Sequence, residues 1–365
     1  MQARTRRWFV ASLSAASASS AIIAAEIGGK GHNVPAAVFR YPDPSTEFPV
    51  ARLTDPAHSS ILPASYQHPI SKRNFMLYAS DMTGRFEAFR MDLKSGQSKQ
   101  LTDAEKLNPA CLALLPDDRG FCYVDGDRVF ESGMSMLHPR EVYRISEGFE
   151  AAGLSVAEDG QYVAVVEKWA EKKSGKSRLQ SIHMVKGGPL KRPKRASVLY
   201  RRLGSQTGGQ SSLWLANYDG QHDYRLRLAE GDTGPAQWNP DGRTVLYLNY
   251  PLEKGKLHNL REFTPDTNED KMLATTSQFV AFGTNADASV FVGASGSKAS
   301  PHVLLLVRSV KRELTLAEHR ASDPKMVGPV FSPNSQRVYF ASDRDGKPAI
   351  YTMSVEKLVE QTDAQ

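Results

Sequence analysis

The chain repeats one short pattern. An apolar strand, a tight turn built from Pro, Asp, Asn, Ser or Gly, and a second apolar strand recur along its length. The copies are FSPNSQRVYFAS from Phe331, WNPDGRTVLYLNY from Trp238, LLPDDRGFCYVDG from Leu114, VAEDGQYVAVVE from Val156 and GTNADASVFVGAS from Gly283. Two fainter copies are PISKRNFMLYASD from Pro69 and RPKRASVLYRR from Arg192. Anchored at their turns, the seven fall at Ser71, Pro116, Glu158, Pro193, Pro240, Ala286 and Pro333, in steps of 45, 42, 35, 47, 46 and 47 residues. A period of about 40–50 residues with several short strands in each is the signature of β-propeller blades. A β-sandwich has no need of a regular period.

The chain ends on only three strands of such a unit, and an unpaired edge row of N–H and C=O groups invites aggregation. The missing strand is at the other end. KQLTDAE at 99–105 closes the first full period, and ARLTDPA at 51–57 carries the same Leu-Thr-Asp core before any repeat is complete. The sequence therefore predicts an all-β, seven-bladed β-propeller of four-stranded antiparallel blades. Val50–Thr54 returns as the outer strand of the last blade to close the ring. One domain is expected over 38–365, with the tail MSVEKLVEQTD from Met353 as the only plausible helix.

Residues 1–37 differ in kind. TRRWFV at Thr5–Val10 precedes an Ala/Ser-rich apolar run with no acidic residue before Glu26. Twin arginines, an aromatic residue and a small-residue stretch predict an export signal of the twin-arginine type, and hence a periplasmic or secreted protein. Cleavage after Ala25 or after Ala36 suits small-residue preferences. The run is too short and Ser-rich for stable membrane insertion. Removing Arg4, Arg6 and Arg7 lowers the formal net charge from +6 to +3. The remaining positive charge gathers in KRPKR at 191–195 with Arg201 and Arg202, either a polyanion patch or a solvated loop. Without interleaved aromatics it does not point to nucleic acid. Cys111 and Cys122 flank one turn, which places them on adjacent strands, either as a disulfide or as two small buried apolar groups.

FSPNSQRVYFASDRDGKPAIYTM, WNPDGRTVLYLNY and SLWLANYDGQ at 212–221 resemble the repeats of oligogalacturonate lyases, seven-bladed propellers that cut pectin fragments, and more loosely those of TolB-type propellers. That resemblance implies β-elimination. A divalent metal, usually manganese, held by histidines and a glutamine binds the uronate carboxylate, and a base removes the neighbouring proton. The positions for those histidines read KMVGPVF at Lys325–Phe331, Gly234-Pro235-Ala236-Gln237, and TSQFVAF at 276–282, none of which contains a histidine. The metal ligands of this chain are thus unknown from sequence, and manganese is implied only through the resemblance.

Loop positions suggest a substitute set on one face of the ring. His319, His68 and Arg320 are the candidate catalytic residues, because imidazole is a base near neutrality and Arg pairs with carboxylates. His58, Gln67, Gln237 and Gln278 are the candidate substrate-binding residues. Asp81, Asp343 and Arg344 are expected to fix turns. No Gly-rich phosphate loop, nucleophile elbow or HExxH motif occurs. The expected function is that of an exported oligogalacturonate-lyase-like propeller acting on or binding acidic, pectin-derived oligosaccharides. The alternative is a non-catalytic TolB-like envelope scaffold with a protein partner, or a glycan-binding module.

Overall fold

The computed structural model describes residues 29–169, 177–184, 197–202, 210–217 and 223–358. Most of the expected export segment (residues 1–28), the basic run at 191–195 and the end of the tail lie outside the described residues.

Seven antiparallel sheets follow one another along the chain. The first comprises Ser60–Ile61, Phe75–Ser80, Glu87–Asp92 and Ser98–Gln100, and the second Leu107–Leu114, Gly120–Asp125, Arg128–Gly133 and Arg140–Arg144. The third holds Phe149–Val156, Tyr162–Trp169 and Ser177–His183, and the fourth Ser197–Arg202, Ser212–Asn217 and Asp223–Arg225. Asp232–Trp238, Val245–Tyr250, Asn259–Thr264 and Glu269–Thr275 form the fifth, and Phe279–Thr284, Val290–Ser295, His302–Val307 and Arg312–Glu318 the sixth. The seventh contains Val330–Phe331, Arg337–Ser342 and Ala349–Ser354.

The sheets stand in a propeller arrangement because their strands are apolar on both faces. Successive side chains of a strand point to opposite sides. In the first sheet Phe75, Leu77 and Ala79 pack toward Leu112, Leu114 and Phe121 of the second. Met76 and Tyr78 pack the other way, toward Val330, Tyr339 and Ile350 of the seventh. Cores of this kind join the second sheet to the third, the fourth to the fifth, the fifth to the sixth and the sixth to the seventh. No such cluster links the third to the fourth among the described residues.

The N-terminal strand takes its expected place. Pro49–Arg52 lies antiparallel on Ala349–Ser354, with Val50 opposite Met353, Ala51 opposite Thr352 and Arg52 opposite Tyr351. Arg52 adds an ion pair of 2.9 Å to Asp345. The uniform four-stranded count does not hold. Phe39–Pro42 adds a fifth strand outside Pro49–Arg52, and Asn33–Val34 adds one outside Ser98–Gln100. Ordered structure thus begins before the expected boundary at residue 37. The third and fourth sheets show three strands among the described residues. The described part of the expected tail helix is instead strand to Ser354 followed by a turn, closed by a Leu358 N–H bond to the Val355 carbonyl.

Cys111 and Cys122 are free and fully buried. The register sets Cys122 against Ala113, so the thiols are two positions out of step and serve as small core groups. Burial pushes the Cys111 thiol up to about 12. No helix among the described residues is long and apolar enough to cross a membrane.

Candidate functional site

The first strand of a propeller blade lines the central channel, and in the first sheet that strand is interrupted. Between Ser60–Ile61 and Ile70, which bridges to Met76, residues 62–69 leave the sheet and wind through the 3-10 turn Ser65–Gln67. Gln67 is 2% exposed, and its amide is fully used. Its oxygen accepts from the Ala64 N–H at 2.8 Å, while its nitrogen donates to the carbonyls of Ala110 at 2.9 Å and Leu154 at 3.0 Å. Across the channel the Ser65 hydroxyl donates to the Gln237 amide oxygen, so the excursion spans from the second and third sheets to the fifth. Gln67 and the oxygen of Gln237 are therefore braces of this plug.

The candidate histidines separate. His68 follows the plug in the left-handed region, φ 52°, where it is exposed yet walled by protein. That enclosure lowers its pKa, with Glu158 opposing and Lys72 adding to the effect. Lys72, Asp118 and Glu158 belong to turns between first and second strands, so His68 lies toward that face of the ring. His58, Gln278, His319 and Arg320 are in loops that lead into first strands, on the opposite face. The structure does not gather the expected set into one site.

His319 carries no exposure, and both ring nitrogens are engaged. Nε2 lies 3.0 Å from the Ser295 carbonyl, and Nδ1 accepts from the Ala321 N–H at 3.0 Å. These partners fix the neutral tautomer protonated at Nε2. Burial lowers the His319 pKa, with the Ser295 carbonyl opposing. Neither nitrogen is placed to take a proton from a ligand. Arg320, exposed and left-handed at φ 48°, pairs with Glu318 at 2.5 Å. His58 lies 4.0 Å from Asp81, and Gln278 is a half-buried left-handed residue, φ 59°.

A different cluster occupies the mouth of the channel beside the fifth sheet. Arg201, near the end of Ser197–Arg202, is exposed and, among the described residues, donates only over a long 3.5 Å contact to the Thr233 carbonyl. Among the described residues no carboxylate lies within ion-pair distance of it, whereas neighbouring Arg202 pairs with Asp223 and stacks on Trp214 at 3.7 Å. The Arg201 charge acts on two phenols. Tyr66, at the tip of the plug, and Tyr250, at the end of Val245–Tyr250, are both raised by burial, Tyr250 to about 12, and both are pulled back by Arg201. The Tyr250 ring lies 4.3 Å from that of His258, whose Nδ1 is 2.8 Å from the Phe279 carbonyl. The carbonyl can only accept, so His258 Nδ1 carries a proton there.

Gly234 makes this packing feasible, since a Cβ there would lie 2.5 Å from the Tyr250 hydroxyl. The phenol thus fills the space beside the segment where the resemblance expects a histidine. Thr233, 4% exposed, holds a hydroxyl oxygen with no hydrogen-bond partner. Sequence reading flagged Arg201 only as part of a basic run, and missed Tyr66, Tyr250 and His258, whose proximity depends on the plug and on the Thr233–Ala236 bulge.

Fold and channel together define a closed β-propeller with a polar, cationic channel mouth. The chain is homologous in sequence and structure to oligogalacturonate lyases. It is 25% identical to the oligogalacturonide lyase of Pectobacterium atrosepticum and 23% identical to the oligogalacturonate lyase of Dickeya dadantii, each over 89% of this chain and 98% of the relative. A solved oligogalacturonate lyase in complex with manganese superposes with a TM-score of 0.77 at 23% identity, covering 90% of this chain and 98% of that one. No protein-family profile matches the chain. The residues present do not fit a manganese site of the implied kind. Among the described residues no three His, Cys, Asp or Glu side chains come together to hold a metal ion. Lys325–Phe331 offers no imidazole.

Proposed function

We propose that this is an exported, oligogalacturonate-lyase-like propeller of seven blades that binds acidic oligosaccharides at its channel mouth without cleaving them. The observation that carries this reading is Arg201, a guanidinium without an ion pair among the described residues, near enough to two phenols for its charge to act on them. A guanidinium fork matches a carboxylate, and tyrosines stack on sugar rings and donate to their hydroxyls. Homology to lyases of pectin fragments supports a uronate as the carboxylate. Seven sheets and six of the cores between neighbours support the blade count. The twin arginines support export.

The bases expected from the sequence are not at the mouth, which argues against turnover. His319 is committed to two backbone groups, Tyr250 titrates far above neutrality, and His68 faces the other side of the ring. The test uses the mature protein and oligogalacturonate, with and without added manganese. Binding weakened by salt, reduced about tenfold by Arg201→Gln and unaccompanied by the unsaturated uronate chromophore is the expected result. Chromophore formation would restore the catalytic reading. Absence of both binding and turnover would leave the envelope-scaffold alternative.

A further inference from the structure

The face of the ring opposite the Arg201 mouth holds a second cationic recess, between the first and second sheets. A cavity of about 510 Å³ is lined there by Arg73, Arg90 and Arg119. Arg73 is in the turn before Phe75–Ser80, Arg119 in the turn before Gly120–Asp125, and Arg90 within Glu87–Asp92. Among the described residues none of the three has a carboxylate within ion-pair distance. Asp118, also in the lining, turns one oxygen to the Lys72 N–H at 2.9 Å, and Asp92 is near enough to Arg90 to feel its charge.

Three guanidinium groups around one recess repel each other, and an anion between them removes that repulsion. Apart from Ser135, the rest of the lining carries no polar side chain. Arg90 lies 4.6 Å over the buried Phe75 ring, and Met134 and Met136 complete the wall, Met136 being 77% exposed. We propose that this recess is a second anion-binding site, for a small ligand that carries two or more carboxylate or phosphate groups. It is separate from the channel mouth, and its occupation does not depend on the function proposed there.

The test is made on the mature Arg201→Gln protein, so that the channel site is weakened, with tetragalacturonate and inorganic pyrophosphate as separate calorimetric probes. We expect at least one probe to bind, more weakly as salt rises, and Arg73→Gln with Arg119→Gln to reduce its affinity roughly tenfold or more. Arg90 is left in place because it packs on Phe75. Replacing Arg73 and Arg119 by Lys should restore part of the binding, and an unchanged melting temperature of the unliganded Gln variant shows that the fold is intact. A loss for tetragalacturonate alone assigns a carboxylate ligand, and a loss for pyrophosphate alone a phosphate ligand. Binding of neither probe, or affinities unchanged in the Gln variant, would overturn the proposal.

Discussion

At the corner where the sixth sheet hands over to the seventh, the histidine and the charged groups around it are tied to the chain, while at the channel mouth beside the fifth sheet several polar groups are not. In the corner His319 bonds to Ser295 and Ala321, and its carbonyl accepts from the Ser342 hydroxyl at 2.5 Å. Arg344 donates to the Glu318 carbonyl at 2.9 Å, and buried Asp43 accepts from the Glu318 N–H at 3.0 Å. At the mouth, among the described residues, Arg201 has no ion pair and the Thr233 hydroxyl is without a hydrogen-bond partner. Both regions hold histidine, arginine and tyrosine. Residue type therefore does not decide which region can meet a ligand. What decides is how much hydrogen-bonding and charge capacity the fold has left open.

The largest effect should come from removing the segment that anchors the corner. Deletion through Asp55 takes away Phe39–Pro42, Pro49–Arg52 and Asp43, reopening an edge on Ala349–Ser354 and freeing Glu318. Loss of cooperative unfolding is expected, read as the disappearance of a sharp calorimetric transition. A normal transition would show that the corner holds without its N-terminal strands. Next comes His319→Ala, which leaves a cavity and two unmet backbone partners and should cost on the order of 2–3 kcal/mol in denaturant unfolding. If it left stability unchanged while removing ligand binding, the corner would be the site and the contrast would be reversed.

Arg201→Gln should do the opposite. With no ion pair to lose, its melting temperature should stay within about 1–2 °C of the parent. Its affinity for oligogalacturonate should drop by about tenfold, roughly 1.4 kcal/mol. Equal affinity would remove the mouth from consideration.

The repeats were legible because turn chemistry is local. Pro240-Asp241-Gly242 and Glu158-Asp159-Gly160 specify turns wherever they occur, and the paired Leu-Thr-Asp segments located the closing strand. The site was not legible, for two separable reasons. The position of His68 depends on the direction in which residues 62–69 leave their sheet, and loop counting placed it on the wrong face. The closure of His319 depends on the carbonyl of Ser295, 24 residues away, which nothing near His319 announces.

A smaller effect follows from pH. His68 and His319 both titrate below 6.5 in the folded protein because burial disfavours the cation, so the unfolded chain takes up protons first as pH falls. Their contribution to stability is complete above about pH 6.5–7 and lost as pH drops through the folded values. Unfolding free energy should thus decline below neutrality, and His319→Gln should shallow that slope. A slope unaltered by the substitution would mean that the corner histidine is not held neutral.

The smallest effect concerns the far N-terminus, and it sharpens the contrast by testing an edge that touches neither region. Asn33–Val34 pairs with Lys99 and Ser98, and Val34 packs against the core between the seventh and first sheets. Ala36 and Val38 lie over Gly96, where a Cβ would come within 2.7 Å of Val38. Cleavage after Ala25 preserves these contacts, and cleavage after Ala36 removes the strand. A chain beginning at residue 38 should therefore be less stable than one beginning at 29, by about 1 kcal/mol or less, because so short a strand adds few contacts. Its affinity for oligogalacturonate should be the same, since no residue of this strand approaches Arg201. A truncation that weakened binding while sparing stability would connect the outer edge to the channel, and the division between structural periphery and available channel mouth would fail.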